Sequence, residues 1–496
     1  MEDLRKLVQI VTNRGQKIHP LLETKGKHLA KETDLFLKIK KGLLQTDEDA
    51  AKDLYNCKPN DPRMKMLKSR LRKKLLNHLF FLDFSDNRLK ISHRYEQECL
   101  SLLHQGRTLM NEGEHKISGK LLQNTLKLAT ESEFTSIIIT CLETLMINYA
   151  LTVRSNLYYK TKKTLEQYRK LAASEHEAED LFYTAKLEQN KSVFAKRRFL
   201  PKLNKSLERL KQLWETTYSA NIFEYYYILN ITKQELYGNF EEILNITTTS
   251  EKLLQKGKIN KKRFDERYNI YVSVYAYLRV KNYKVGLAFA EANMQSFNRS
   301  TNNWFAYMEN YMLLAMHAGK YDLAVKILDD VTGNSFFKKI RPNAQERWML
   351  YSSYLHFVNP TKNLSRQSSY KKLISSIPEY SKDKQGFNVA ILILQFLYHV
   401  QAKDQDVLGY LIEGLKKYAG RHLRENFSKR SLYFFKLLMI VINANLDYQE
   451  SMKKGKAYYE RLQDTPVPGD AFAEIEIIPY EQLWALILKI LEEAEQ

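Results

Sequence analysis

Along most of the 496-residue chain, apolar residues recur every three or four positions, the spacing that lines them up on one face of an α-helix. Ile270, Val274, Tyr277 and Leu278 form one such stripe, and Trp304, Met308, Tyr311 and Ala315 another. A third runs through Met64, Leu67, Leu71, Leu75 and Leu82, with Leu79 at its flank. Arg63, Lys68, Arg70, Lys73 and Lys74 occupy the rest of that helix. Two runs are predominantly apolar, "VAILILQFLYHV" over 389–400 and "LYFFKLLMIVI" over 432–442. Both fall short of the ~20 residues a spanning helix needs, and the second contains Lys436, so they read as buried helices and no membrane is expected. A short alternating stretch precedes Pro479, which opens an acidic amphipathic helix.

The connections between helices carry a pattern of their own. In "GKYDLAVKILDDV" (319–331), Gly319 lets the chain reverse between two helices, Tyr321 packs across the pair, and Ala324 lets the backbones approach. The arrangement recurs at Gly113, His115 and Ser118 and at Gly238, Phe240 and Ile243. It recurs less fully at Tyr283 and Gly286 and at Tyr448 and Ser451, and Gly106 sits where the first helix of a unit would place one. Tyr283 follows Phe240 by 43 residues and Tyr321 follows Tyr283 by 38, a period within the range of helical-pair repeats. Over roughly residues 95–465 the chain therefore resembles the tetratricopeptide-repeat (TPR-like) superfamily in degenerate form. The resemblance implies an all-α fold, a right-handed superhelix of antiparallel helix pairs, and an α-solenoid with an extended concave binding surface. Between 150 and 236 helices are legible, but no clean repeat.

Residues 1–92 read as a basic helical N-terminal module, 93–465 as the repeat array and 466–496 as an acidic C-terminal capping segment. In the first, Thr46 before "DEDAAKDLY" is a capping residue with Asp49 at the capping-box position. The turn cluster "NCKPNDP" (56–62) ends that helix and the basic one begins. "TPVPGD" (465–470) is the strongest boundary in the chain. Beyond it, the acidic helix either covers the apolar face of the last repeat or serves as a detachable partner-binding peptide.

Composition sharpens this picture. Gly (17) and Pro (10) are scarce, which favours uninterrupted helices, and 44% hydrophobic residues supply ample core. Cys57, Cys99 and Cys141 are odd in number and far apart in sequence, which argues against a disulfide framework or a structural zinc site and fits a reducing cytoplasm. The first residues, "MEDLRKLVQIVTNRGQK", offer no apolar run of a signal peptide, so a cytoplasmic location is expected. Net charge is +21 and uneven: residues 1–90 hold 21 basic against 12 acidic side chains, whereas 466–496 hold one against seven. Such a basic body selects an acidic or polyanionic partner, or its own tail.

The helix-turn-helix around residue 60 does not read as a DNA-recognition motif. Its turn is too long, and the second helix offers only Lys and Arg where base reading needs Asn or Gln. Non-specific phosphate contact remains open, aided by Lys196, Arg197 and Arg198 in "AKRRFLPKLNK" and by "KGKINKKRFDER" (256–267). No nucleotide-binding, zinc-protease or serine-hydrolase motif is present, and no histidine has ligand spacing, so neither catalysis nor a cofactor or metal is expected. His115 takes an aromatic packing position. His317 lies where a helix C-terminus favours its charged form. The tyrosines of "FEYYYIL" (223–229) read as core. The resulting expectation is a non-enzymatic interaction scaffold that binds an acidic protein segment, with a nucleic-acid-associated factor as the alternative.

Overall fold

With few residues to break them, the stripes fold as continuous helices. The computed structural model contains twenty-one α-helices and no strand among the described residues, which are 1–13, 30–82, 89–189, 193–359, 387–422, 429–465 and 476–495. The chain divides into two compact units, Met1–Glu98 and Cys99–Gln496.

In the first unit, α1 (Glu2–Asn13), α2 (Lys31–Lys40), α3 (Asp47–Tyr55) and α4 (Pro62–His78) surround one core. A capping box starts α3: the Asp49 N–H donates to Thr46 Oγ1 at 3.1 Å, and the Thr46 N–H donates to the Asp49 carboxylate at 3.0 Å. Asn56, at φ 47°, closes it in the left-handed conformation. The Asp61 side chain then caps α4, with Pro62 in its first turn. Met64, Leu67, Leu71 and Leu75 are buried against Leu4, Val8, Leu35 and Phe36. The helix expected to reach residue 82 stops at His78, tightens into a 3-10 turn over Leu79–Phe81, and leaves Leu82 extended.

The second unit continues through α5 (Ile91–Asn111), in which the boundary falls, α6 (His115–Glu131), α7 (Thr135–Leu151), α8 (Ser155–Gln189), α9 (Val193–Thr217) and α10 (Ala220–Tyr237). Next come α11 (Phe240–Gln255), α12 (Glu266–Arg279), α13 (Tyr283–Asn293), α14 (Asn302–His317), α15 (Tyr321–Thr332) and α16 (Pro342–Val358). The last helices are α17 (Phe387–Gln401), α18 (Gln405–His422), α19 (Lys429–Asn443), α20 (Tyr448–Asp464) and α21 (Tyr480–Glu495). From α6 onward each helix packs on the next, and α12 also touches α14. The apolar runs 389–400 and 432–442 are the bodies of α17 and α19, and no described helix is long and apolar enough to cross a membrane.

One turn recurs along this unit. At Gly113 the backbone takes φ 82°, the Gly113 N–H donates to Met110 O, and the Glu114 N–H donates to Leu109 O. That pair of bonds satisfies the last carbonyls of the helix and reverses the chain. The same positive φ and the same two bonds appear at Glu133, Val153, Gly238, Gly257, Lys281, Gly319, Lys403 and Asn445. Downstream of five of them, the helix opens on the expected aromatic position: His115, Phe240, Tyr283, Tyr321 and Tyr448. Three residues further on, Ser118, Ile243, Gly286, Ala324 and Ser451 are all buried. At Gly286 a Cβ would lie 2.8 Å from the Tyr277 Cβ, so the crossing of α12 and α13 admits no side chain there.

Aromatic residues dominate the cores. Trp304, Tyr307, Trp348, Tyr351, Tyr354 and Phe434 are buried, and the Tyr307 and Tyr354 hydroxyls donate to the carbonyls of Ala290 and Ala390 at 2.5 and 2.6 Å. Within 223–229, Phe223 and Tyr227 are buried, while Tyr225 and Tyr226 stack on Phe182 and Trp214.

Candidate interaction surface

The basic helix α4 puts its cations outside the core, but acids claim several of them. Arg63 pairs with Asp61 at 2.8 Å, and this guanidinium pushes the Asp61 carboxyl down to about 2. Lys68 reaches Asp47 at 2.6 Å, Arg70 lies 3.8 Å from Glu32, and Arg72 lies 3.7 Å from Asp3. Lys65, Lys73 and Lys74 form no ion pair among the described residues. The expected five-residue basic face is thus narrower, because nearby acids consume part of it. The backbone of Lys196, Arg197 and Arg198 belongs to α9, and their side chains lie outside the described residues.

Within the basic stretch 256–267, Lys256, Lys258 and Lys261 are exposed, whereas Lys262, Arg263 and Arg267 are engaged by neighbours. Lys262 pairs with Glu131 at 2.8 Å, and Arg263 donates to Glu133 O at 2.7 Å and lies over the Phe134 ring. Asn260 donates to the Glu133 carboxylate at 2.8 Å, whose other oxygen accepts the Ala220 N–H at 3.0 Å. Glu175 of α8 receives Thr135, Ser219 and Asn221. Three inter-helix turns and α8 are tied together, and two of the cations read as available for phosphate, Lys262 and Arg263, are structural instead.

A second polar junction anchors the acidic tail, whose residues 466–475 and 496, with most of "TPVPGD", lie outside the described residues. Arg430 is 0% exposed. Its five N–H groups are all donated: to both Glu476 oxygens at 2.6 and 3.0 Å, to Glu481 at 2.7 Å, and to the carbonyls of Leu462 and Thr465 at 2.9 Å. Burial disfavours the Arg430 charge, but Glu476 and Glu481 outweigh it and hold its pKa above the ordinary value. Glu481 responds in kind: burial would raise its carboxyl, and Arg430 holds it below the usual range. His317 Nε2 lies 2.6 Å from Glu476 O, and the Gln482 amide donates to His317 O at 2.8 Å. Burial pushes the His317 imidazole down to about 4, so the charged form expected from its helix terminus is overridden. Helix α21 packs on α17, α19 and α20 through Tyr480, Trp484, Ile487 and Leu491. A Cβ on Gly455 would lie 2.7 Å from the Trp484 ring.

An open groove lies between α7 and α8. It encloses about 500 Å³ over Met146, Ile147, Leu151, Tyr158 and Leu165, with Lys162 on its edge. Arg169 and Glu143 close one side with a 2.7 Å ion pair. Sequence reading missed this site. Its only signal was a stripe, Ile147 and Leu151, indistinguishable from core. Among the described residues no group of acidic, His or Cys side chains is placed to hold a metal ion. No protein-family model, no curated protein and no solved structure matches this chain.

Proposed function

We propose that this chain is a non-enzymatic interaction scaffold, its helix pairs stacked as a TPR-like right-handed superhelix, that holds an acidic segment of a partner protein on a basic surface in the cytoplasm. The observation that supports it is which cations are left over. Lys65, Lys73 and Lys74 on α4, and Lys160, Lys162, Lys163 and Lys170 on α8, have no acidic partner among the described residues, while the buried Arg430 donates all five of its N–H groups. Exposed, uncompensated charge steers and selects oppositely charged partners. A protein segment is favoured over a phosphate backbone because Lys162 borders apolar surface, which a phosphate backbone has nothing to fill. Recovery of partners from native cells at moderate salt, with and without nuclease, tests this reading. Partners that persist after nuclease and are released by added salt are the expected result. Partners lost with nuclease, together with generic RNA binding that falls steeply with salt, would replace it with the nucleic-acid reading.

A further inference from the structure

We infer that the solvent face of α4 pairs, coiled-coil fashion, with an acidic amphipathic helix of a partner protein; this deepens the scaffold reading above and rests on it. Met64, Leu67, Leu71 and Leu75 commit one side of α4 to the core of the first unit. On the opposite side Met66, Ser69, Lys73 and Leu76 fall on a second line, and all four are exposed. They are spaced three, four and three residues apart, the alternation with which one helix presents a seam to another. Met66 and Leu76 are 55% and 46% exposed, and Phe80, four residues on in the 3-10 turn, is 80% exposed. Arg70 leans toward Glu32 of α2 and Arg72 toward Asp3 of α1, so both neighbouring helices lie behind this line.

Charge specifies the occupant. Lys65, Arg70 and Arg72 flank the line at the positions that meet the flanks of a facing helix, and Lys73 lies within it. Residues 62–82 contain no Asp or Glu. Lys65 and Lys73 form no ion pair among the described residues. The Arg70 and Arg72 pairs are long, at 3.8 and 3.7 Å, and both side chains are more than half exposed. A second copy of this chain would set these cations against one another, which disfavours self-pairing. A helix with leucines on its seam and glutamates beside them meets Met66 and Leu76 with apolar surface and the cations with acids. Lys73, inside the line, suits a facing glutamate rather than lipid tails, where its charge would be buried unpaired. From Met66 to Phe80 the line runs about 21 Å, four turns, so the partner helix has about fifteen residues.

The test uses the full chain and a labelled synthetic peptide of about fifteen residues, leucines alternating every three and four positions and glutamates beside them. One control peptide carries lysines in place of the glutamates, and another the same residues in scrambled order. Anisotropy at near-physiological salt should show binding of the ordered acidic peptide only. Leu76→Glu should weaken it about tenfold or more, while Leu151→Glu, at an exposed position of the second unit, leaves it unmoved. Lys65→Glu with Lys73→Glu should lose the acidic peptide and gain the lysine peptide. Hydrogen exchange should slow within 63–79 on binding, and unchanged circular dichroism verifies that the variants fold. Equal binding of the ordered and scrambled acidic peptides, or binding that ignores Leu76→Glu, would mean that charge alone is read and overturns the seam. Absence of peptide binding overturns it too. The scaffold reading then stands if nuclease-resistant partners are still recovered from native cells, and falls if they are not. Binding to phosphatidylserine-containing vesicles that Leu76→Glu abolishes, with no peptide bound, would assign the face to a membrane surface instead. A dimer dispersed by Leu76→Glu would assign it to a second copy of this chain.

Discussion

Each recurring turn of the second unit needs one residue at positive φ, and Val153 is the least suited to supply it. A β-branched side chain at φ 51° crowds its own backbone, and Val153 is 84% exposed, so no burial offsets the strain. Val153→Gly removes that strain at some cost in unfolded-chain entropy, and should stabilise the protein by roughly 1 kcal/mol. Urea unfolding followed by circular dichroism checks this, and a lower midpoint would show that Val153 is not strained. The same turns explain a limit of sequence reading. Those at Gly113, Gly238 and Gly319 announce themselves, because glycine is the residue such a backbone favours. Those at Glu133, Val153, Lys281 and Lys403 carry side chains that normally avoid it, so the local signal is missing although the hydrogen bonds are identical.

At the scale of the element, α4 shows how one helix carries two messages. Leu71 is buried among α1 and α2, whereas Arg70 and Lys73 face solvent. Leu71→Asp places an unpaired charge in that core and should cost several kcal/mol, unfolding the first unit. Changing Arg70, Lys73 and Lys74 together to Glu breaks only the long Arg70–Glu32 pair, and surface pairs contribute about 0–1 kcal/mol, so the fold should survive. Thermal melts of the two variants separate the outcomes; equal loss in both would mean the helix is rotated from this assignment. Periodicity made α4 legible, and the Thr46–Asp49 box made α3 legible, since both depend on residues a turn apart. The α7–α8 groove was not legible, because Ile147 and Leu151 continue a core-like stripe. What exposes them is that α9 and α10 cover α8 only from Ala178 onward.

Across the second unit as a whole, His317 and Arg430 join segments far apart in the chain, and this connection predicts a pH response. The His317 pKa falls from 6.5 in the unfolded chain to about 4 in the fold, so the unfolded state binds more protons between those values. Stability is therefore intact above about pH 6.5 and declines as pH falls toward 4, by about 3 kcal/mol over the window. Arg279 and Lys281 add to burial in opposing its protonation, and the bond to Glu476 O and the Glu476 charge favour it but are outweighed. His317→Gln keeps a donor for Glu476 O and should flatten the loss between pH 7 and 5, read as urea midpoints; identical slopes would place the titration elsewhere. Loss of the Glu481–Arg430 pairing acts lower, because that carboxyl is held below its ordinary 4.5.

The sequence by itself determined the all-helical character of the chain and its excess of positive charge, since those follow from composition and from interactions between residues a few positions apart. Only the tertiary structure decided which charges are spent and which apolar residues stay open. Lys68 meets an acid 21 residues away, Arg430 meets acids 46 and 51 residues away, and Lys262 closes on a turn 131 residues earlier. No local pattern encodes those partners, because burial and charge pairing depend on which surfaces the packed helices bring together.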